Sequence, residues 1–72
     1  MTNVAVGPLA RLTRAERAVS RLVMAGATNP DIARCLGISR HTVESHLKHV
    51  FVKLDITSRV QLAVLEFADR SS

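Results

Sequence analysis

Residues 28–47, TNPDIARCLGISRHTVESHL, contain two helical patterns separated only by residues 37–39. Two helices joined by a three-residue turn that contains a glycine are typical of a helix-turn-helix. Ala33, Gly37 and Val43 stand where that motif needs a small side chain, a residue that accepts positive φ, and a buried β-branched anchor. The stretch therefore predicts a helix-turn-helix.

Capping residues indicate where the two helices of this motif begin and end. The first helix, helix 2 of the chain, has either Thr28 or Asn29 as its N-cap and ends at Gly37. Because it is only about two turns long, we expect it to pack between longer neighbours. Helix 3 follows Ser39 as N-cap and continues to about Leu54. Its apolar stripe consists of Val43, Leu47, Val50 and Leu54.

Two more helices flank this pair. Thr13 and Glu16 form a capping box ahead of helix 1, which is predicted over about residues 14–25. Ser58 and Gln61 form a second capping box at the start of helix 4, in the segment SRVQLAVLEFADR. No segment shows the alternation of polar and apolar residues that indicates a β-strand.

The fold class is accordingly predicted as all-α, a four-helix bundle-like domain that contains a helix-turn-helix. The helices account for residues 12–70. Gly7 and Pro8 interrupt the preceding stretch, so residues 1–11 are predicted to be a flexible N-terminal tail or linker. A chain of 72 residues can form only a small core, which disfavours a deep substrate cavity.

The composition favours a polyanionic partner over other kinds. Ten Lys and Arg residues against six Asp and Glu give a formal net charge of +4. The chain has no Trp or Tyr, so it lacks the rings on which unpaired bases stack. No apolar run reaches the roughly 18 residues of a membrane span, and the N-terminus lacks a signal-peptide pattern. We therefore expect a cytoplasmic domain with no membrane contact.

Cysteine and histidine residues show no metal-binding pattern. The single Cys35 excludes an internal disulfide, and its neighbours predict a half-buried core position. His46 and His49 lie three residues apart on helix 3, but no C-x-x-C or H-E-x-x-H pattern accompanies them. His46 adjoins the apolar stripe and is predicted to be a core histidine that hydrogen-bonds to backbone. We expect no metal ion and no other cofactor.

No catalytic constellation is evident either. The carboxylates lie on different helices near caps or solvated faces, and the chain has no glycine-rich phosphate loop. Ser39 and Ser58 are better explained as N-caps than as nucleophiles. We therefore predict that the protein is not an enzyme.

Four separated motifs occur in the order in which they occur in a known family. They are LTRAER, AGATNPDIARCLGIS, HTVESHLKHVFVKLDI and SRVQLAV. Over about residues 12–68 the chain resembles the LuxR-type DNA-binding domain of NarL-, FixJ- and MalT-like bacterial transcription regulators. The resemblance implies sequence-specific binding of double-stranded DNA, with helix 3 in the major groove. It also implies a sensor or receiver domain for which 72 residues leave no room.

The resemblance also suggests which residues contact DNA. The positions that contact bases in the family hold Glu44, Ser45 and Lys48 here. His41 is predicted to lie exposed near the start of helix 3, where it can also meet phosphate. The phosphate-contacting positions of the family hold Thr28, Asn29, Arg40, Thr42, Lys53 and Arg59.

Glu44 departs from the family, because many relatives have Lys or Arg at this position. A carboxylate repels phosphate, but it can accept a hydrogen bond from the N4 amino group of cytosine. The alternative interpretation is a solvated side chain that pairs with Lys48 one turn later. The sequence does not choose between the two.

Helix 4 is apolar on nearly two faces, which is more than one small core needs. We expect one face to close the core and Leu62 and Leu65 to form the interface of a weak homodimer. The predicted core face consists of Val60, Ala63, Val64 and Phe67. The same apolar surface also supports an alternative function, a helical protein–protein interaction module that does not bind DNA.

Overall fold

The computed structural model describes residues 8–71, and the described chain contains helices and no strand. This confirms the all-α prediction. A short 3-10 turn, Pro8–Arg11, precedes the first α-helix. The four α-helices are α1 (Arg14–Met24), α2 (Asn29–Leu36), α3 (Arg40–Leu54) and α4 (Arg59–Ser71).

Both predicted capping boxes form, and they fix where α1 and α4 begin. Glu16 N donates to Thr13 Oγ1 at 3.2 Å, while Thr13 N donates back to Glu16 Oε1 at 2.9 Å. At the start of α4, Gln61 N donates to Ser58 Oγ at 3.2 Å and Ser58 N donates to Gln61 Oε1 at 3.0 Å. Each box satisfies amide groups that would otherwise lack a partner in the first helical turn.

The helix-turn-helix is held by the residues that the sequence indicates. Thr28, rather than Asn29, is the N-cap of α2, and it exchanges hydrogen bonds with Asp31 at 3.2 and 3.3 Å. Gly37 ends α2 with φ at 68°, a left-handed conformation that glycine adopts without steric cost. Ser39 then caps α3, since its Oγ accepts from the backbone N–H of the first turn.

The core lies between the four helices. The α3 helix packs against both α1 and α2, while α4 packs mainly against α1. In the predicted stripe of α3, three residues are buried and Leu54 is half-buried. The buried apolar residues are Leu9, Leu12, Val19, Val23, Ile32, Val43, Leu47, Val50 and Leu62.

The expectation of a tail over residues 1–11 is wrong for residues 8–11. These residues form the 3-10 turn, and the Leu9 side chain is 1% exposed within the core. The turn packs against α3 and α4. A single leucine carries no periodicity, so the sequence pattern alone gave no reason to include it in the core. Residues 1–7, the rest of the predicted tail, lie outside the described residues.

The two faces of α4 are the reverse of the prediction. Leu62, expected at a dimer interface, is 0% exposed in the core, and Leu65 is half-buried. Val64 and Phe67, expected in the core, are 61% and 67% exposed. Glu66 explains the error, because a charged residue usually indicates an exposed face. Here Glu66 is buried one turn after Leu62, on the inward face of α4.

Two smaller expectations also change. Cys35 is exposed on α2 instead of half-buried. His46 is half-buried rather than a core residue, and it has no hydrogen bond to backbone among the described residues. Both residues lie at the edge of the apolar pattern, where a rotation of the helix by a few tens of degrees changes exposure.

No helix in residues 8–71 has the length and apolar character to cross a membrane.

Candidate nucleic-acid interface

The exposed face of α3 carries a row of polar side chains. His41, Glu44, Ser45 and Lys48 are all exposed and together line a depression of about 290 Å³. They recur at three- and four-residue intervals, opposite the buried stripe, so one side of the helix presents all four. The structure therefore brings the three predicted base-contacting residues, Glu44, Ser45 and Lys48, onto one accessible surface.

A second, open groove connects this surface to the starts of α2 and α4. Its volume is about 420 Å³. It places Asn29 and Arg59, two predicted phosphate-contacting residues, beside Glu44 and Lys48. The full lining is Asn29, Glu44, Leu47, Lys48, Phe51, Thr57, Ser58 and Arg59. Residues from three helices, up to 30 positions apart in sequence, thus share one surface.

Arg59 links the start of α4 to the start of α2. Its Nη1 donates to Asn29 Oδ1 at 2.8 Å, and its Nη2 donates to the Ala27 carbonyl at 2.7 Å. An arginine held by two directed hydrogen bonds fixes the position of both partners. Arg59 therefore has a structural role that the sequence analysis missed, in addition to the predicted phosphate contact.

The amino-acid sequence matches the profile of a known protein family. The profile is described as "Bacterial regulatory proteins, luxR family", and it matches residues 10–66. The chain belongs to the LuxR family.

Named relatives agree with this assignment. A Mycobacterium bovis protein named as an HTH-type transcriptional regulator is 54% identical over 61 residues, which are 85% of this chain and 7% of that protein. The nitrate/nitrite response regulator NarL of Escherichia coli is 40% identical over 60 residues, 83% of this chain and 28% of NarL. The monoamine regulon transcriptional regulator of Klebsiella aerogenes is 43% identical over 51 residues, 71% of this chain and 22% of that protein. The chain thus spans less than a third of each.

Lys53, expected from the resemblance to contact phosphate, forms an ion pair within the domain. Its Nζ forms an ion pair with Glu16 Oε1 at 2.7 Å, and the Glu16 side chain is only 5% exposed. The Lys53 ammonium thus binds a capping residue of α1 while its side chain stays 36% exposed, and the phosphate contact stays a prediction. Sequence patterns could not reveal this pair, because its members lie 37 positions apart.

The ion pair and the cap together keep Glu16 charged. Burial alone raises the pKa of the Glu16 carboxyl, but hydrogen bonds from Lys53 and Thr13 outweigh that effect and lower the pKa below its ordinary value. A carboxylate that is buried and ionised requires such partners. The ends of α1 and α3 are therefore held together by an interaction that depends on charge.

The remaining predicted phosphate contacts lie near the starts of α2 and α3. Arg40 and His41 are exposed in the first turn of α3. Thr42 is half-buried, and its Oγ1 lies 2.9 Å from Ser39 Oγ. Thr28 is exposed but already serves as the N-cap of α2. Arg40 and His41 therefore combine exposure with a position in the first turn of α3, which leaves them accessible to a phosphate.

Metal ligation finds no geometric support in the part of the chain that the structure describes. No group of three His, Cys, Asp or Glu side chains lies close enough together there to hold an ion.

Proposed function

We propose that this LuxR-family domain binds double-stranded DNA in a sequence-specific manner as part of a bacterial transcription regulator, with α3 in the major groove. The observation that carries the proposal is the exposed row of Glu44, Ser45 and Lys48 on a helix whose opposite side packs into the core through Val43, Leu47 and Val50. A helix held in this way presents its polar side chains to base edges without further folding. The net charge of +4 favours approach to a phosphate backbone.

Individual residues receive distinct roles in this proposal. Lys48 donates to guanine O6 and N7, and Ser45 contacts a neighbouring base edge. Arg40 and His41 contact phosphates at the start of α3. Asn29 and Arg59, which flank the same groove, position the backbone, and Thr28 and Thr42 assist through their hydroxyl groups.

A second part of the proposal concerns two copies of the domain. Val60, Val64 and Phe67 are exposed at i, i+4 and i+7, so they form an apolar stripe along the outward side of α4. The stripe borders a cavity of about 350 Å³. We assign the stripe to the α4 helix of a second copy, in place of the interface first expected at Leu62 and Leu65. The lining of the cavity is Leu54, Ile56, Val60, Gln61, Val64 and Leu65.

The proposal of a second copy is supported by the position of the apolar stripe beside a mostly apolar cavity. If two α4 helices cross antiparallel near Val64, two-fold symmetry brings Phe67 of each copy towards the cavity of the other. Such an interface is small, so the dimer is weak in solution. Two half-sites on one DNA molecule supply the missing affinity by raising the effective concentration.

Binding of short duplexes across a salt series tests the first part. We expect affinity to fall steeply as salt rises, because several phosphate contacts release counterions. Arg40→Ala should reduce the salt slope by about one unit. Arg21→Ala, which removes an equal charge from an exposed position on α1, is the matched control and should leave the slope unchanged. A folded domain that shows no duplex binding at low salt would instead favour the protein–protein interaction module.

A paired site tests the second part. Val64→Glu should abolish cooperative binding to two adjacent half-sites and leave binding to one half-site nearly unchanged. Ala15→Glu, at an exposed position of α1, adds the same charge and should keep cooperativity. Undiminished cooperativity in a folded Val64→Glu variant would place the dimer interface elsewhere.

We further propose that the domain acts within a longer regulator in the cytoplasm, where bacterial DNA is found. The named relatives are between about four and fourteen times as long as the matched segment, consistent with additional domains. NarL is named as a nitrate/nitrite response regulator. A sensor or receiver domain is therefore the natural partner of this DNA-binding part.

A further inference from the structure

Glu44 is the one acidic residue on the outward row of α3. It lies between His41 and Lys48, and all three line the same depression. The structure forms no ion pair between Glu44 and any cation among the described residues. Glu16, Asp31 and Asp69 form ion pairs, whereas Asp55, at the end of α3, forms none among the described residues.

The missing pair with Lys48 favours one of the two interpretations of Glu44 that the sequence leaves open. A helical pair with Lys48 would neutralise the carboxylate internally, but that pair does not form in the structure. An exposed, unneutralised carboxylate faces the same side as the residues proposed to contact bases. On a DNA-binding surface it opposes the phosphates unless it finds a hydrogen-bond donor on the DNA.

The chemistry of the major groove restricts that donor. An ionised carboxylate only accepts hydrogen bonds. Major-groove edges offer two amino donors, cytosine N4 and adenine N6, and adenine also presents the acceptor N7 beside its donor. Guanine and the thymine carbonyl present acceptors there, which repel a carboxylate. Cytosine is therefore the base that suits Glu44 best.

We propose that Glu44 is a specificity-determining residue that accepts a hydrogen bond from the N4 amino group of one cytosine and rejects guanine and thymine at that position. The inference rests on the proposed function, since it requires α3 to lie in the major groove. Lys48, one helical turn away, contacts guanine at a different base pair. The pattern of acceptor and donor along α3 thus sets the order of C and G in the half-site.

Selection from a randomised duplex library tests this assignment. The wild-type domain should enrich a motif with cytosine at one position. Glu44→Ala should flatten the preference at that position alone, with a loss of about 5- to 150-fold in discrimination. Glu44→Gln should shift the preference towards adenine, because an amide can pair with both N6 and N7.

Asp55→Asn is the matched control for charge. It also removes one negative charge from an exposed position of α3's C-terminal end, and asparagine tolerates the positive φ of 55° found there. This variant should leave the base preferences unchanged. If Glu44→Ala instead strengthens binding to every duplex to the same extent as Asp55→Asn, Glu44 only repels phosphate and the proposal is wrong.

A modified base locates the hydrogen bond. N4-methylcytosine keeps the pair with guanine but replaces the N4–H that faces the major groove with a methyl group. The wild-type domain should bind the methylated duplex as weakly as the Glu44→Ala variant binds the unmodified duplex. The Glu44→Ala variant should bind both duplexes equally well. If methylation lowers the affinity of the wild type and of Glu44→Ala equally, Glu44 does not accept a hydrogen bond from N4. If the wild type enriches no motif at all, the proposed function itself is wrong. That outcome differs from the loss of the cytosine preference alone.

Discussion

Helices α3 and α4 have similar lengths but distribute their apolar residues differently. Almost all of the outward surface of α3 is polar, with Val52 as the exposed exception, while its apolar stripe is buried. The outward surface of α4 carries the exposed apolar residues Val60, Val64 and Phe67, and its inward surface includes both Leu62 and the charged Glu66. A polar surface suits a polyanion and an apolar one suits a protein. The two helices therefore present surfaces that suit different kinds of partner.

The largest expected effect separates the two sides of α4. Leu62→Ala removes a fully buried side chain and should lower the free energy of unfolding by about 2 to 5 kcal/mol. Val64→Ala, the matched truncation on the outward side, should change it by less than about 0.5 kcal/mol. Urea denaturation followed by circular dichroism measures both. Similar losses in the two variants would contradict the assigned faces.

The same comparison shows what local sequence signals predict. The capping boxes and the turn at Gly37 were predictable because each depends on residues within a few positions of one another. The outward row of α3 was also predictable, since one buried stripe leaves one free side. These signals sufficed for the four helices and for the gathering of Glu44, Ser45 and Lys48.

The remaining features depend on distant partners. Both sides of α4 satisfy helical apolar spacing, and only packing against α1 selects the side of Leu62. The partners of Lys53 and Arg59 lie 37 and 30 positions away. Their charge suggested phosphate contacts, but charge alone does not distinguish an ammonium that faces DNA from one that faces a buried carboxylate.

The next prediction concerns the outward side of α3. Lys48→Ala should weaken binding to the preferred site by about 1 to 3 kcal/mol, with little effect on random duplexes, because it removes a donor to guanine. Arg40→Ala should weaken both kinds of duplex alike, since a phosphate contact carries no base information. Fluorescence anisotropy at fixed salt compares them. If Lys48→Ala also weakens both alike, Lys48 contacts only phosphate.

A smaller effect tests the inward end of α3. Lys53→Ala should lower the free energy of unfolding by about 1 to 2 kcal/mol, because Glu16 loses a charged hydrogen-bond partner and Lys53 is partly exposed. The salt slope of DNA binding should stay within about half a unit of the wild type, because the ion pair with Glu16 already engages this ammonium. If Lys53→Ala lowers the salt slope of DNA binding by about one unit and leaves the free energy of unfolding unchanged, Lys53 contacts phosphate after all.

The smallest expected effect is the pH dependence of that ion pair. The folded-state pKa of Glu16 is lowered from its usual 4.5, so the carboxylate stabilises the fold above that pH and the contribution is lost as pH falls through the lower, folded-state value. Glu16→Gln retains an acceptor for Thr13 but carries no charge. The wild type should therefore be more stable than Glu16→Gln at pH 7, by about 1 kcal/mol, and the difference should shrink below pH 4.5. The pKa of Asp31 is also lowered, chiefly by the hydrogen bond from the Thr28 backbone. Asp31 is present in both proteins, so its pH-dependent contribution cancels in the difference between their free energies of unfolding. A difference that stays constant from pH 7 to pH 3 would show that the hydrogen bond, and not the charge, holds α1 to α3.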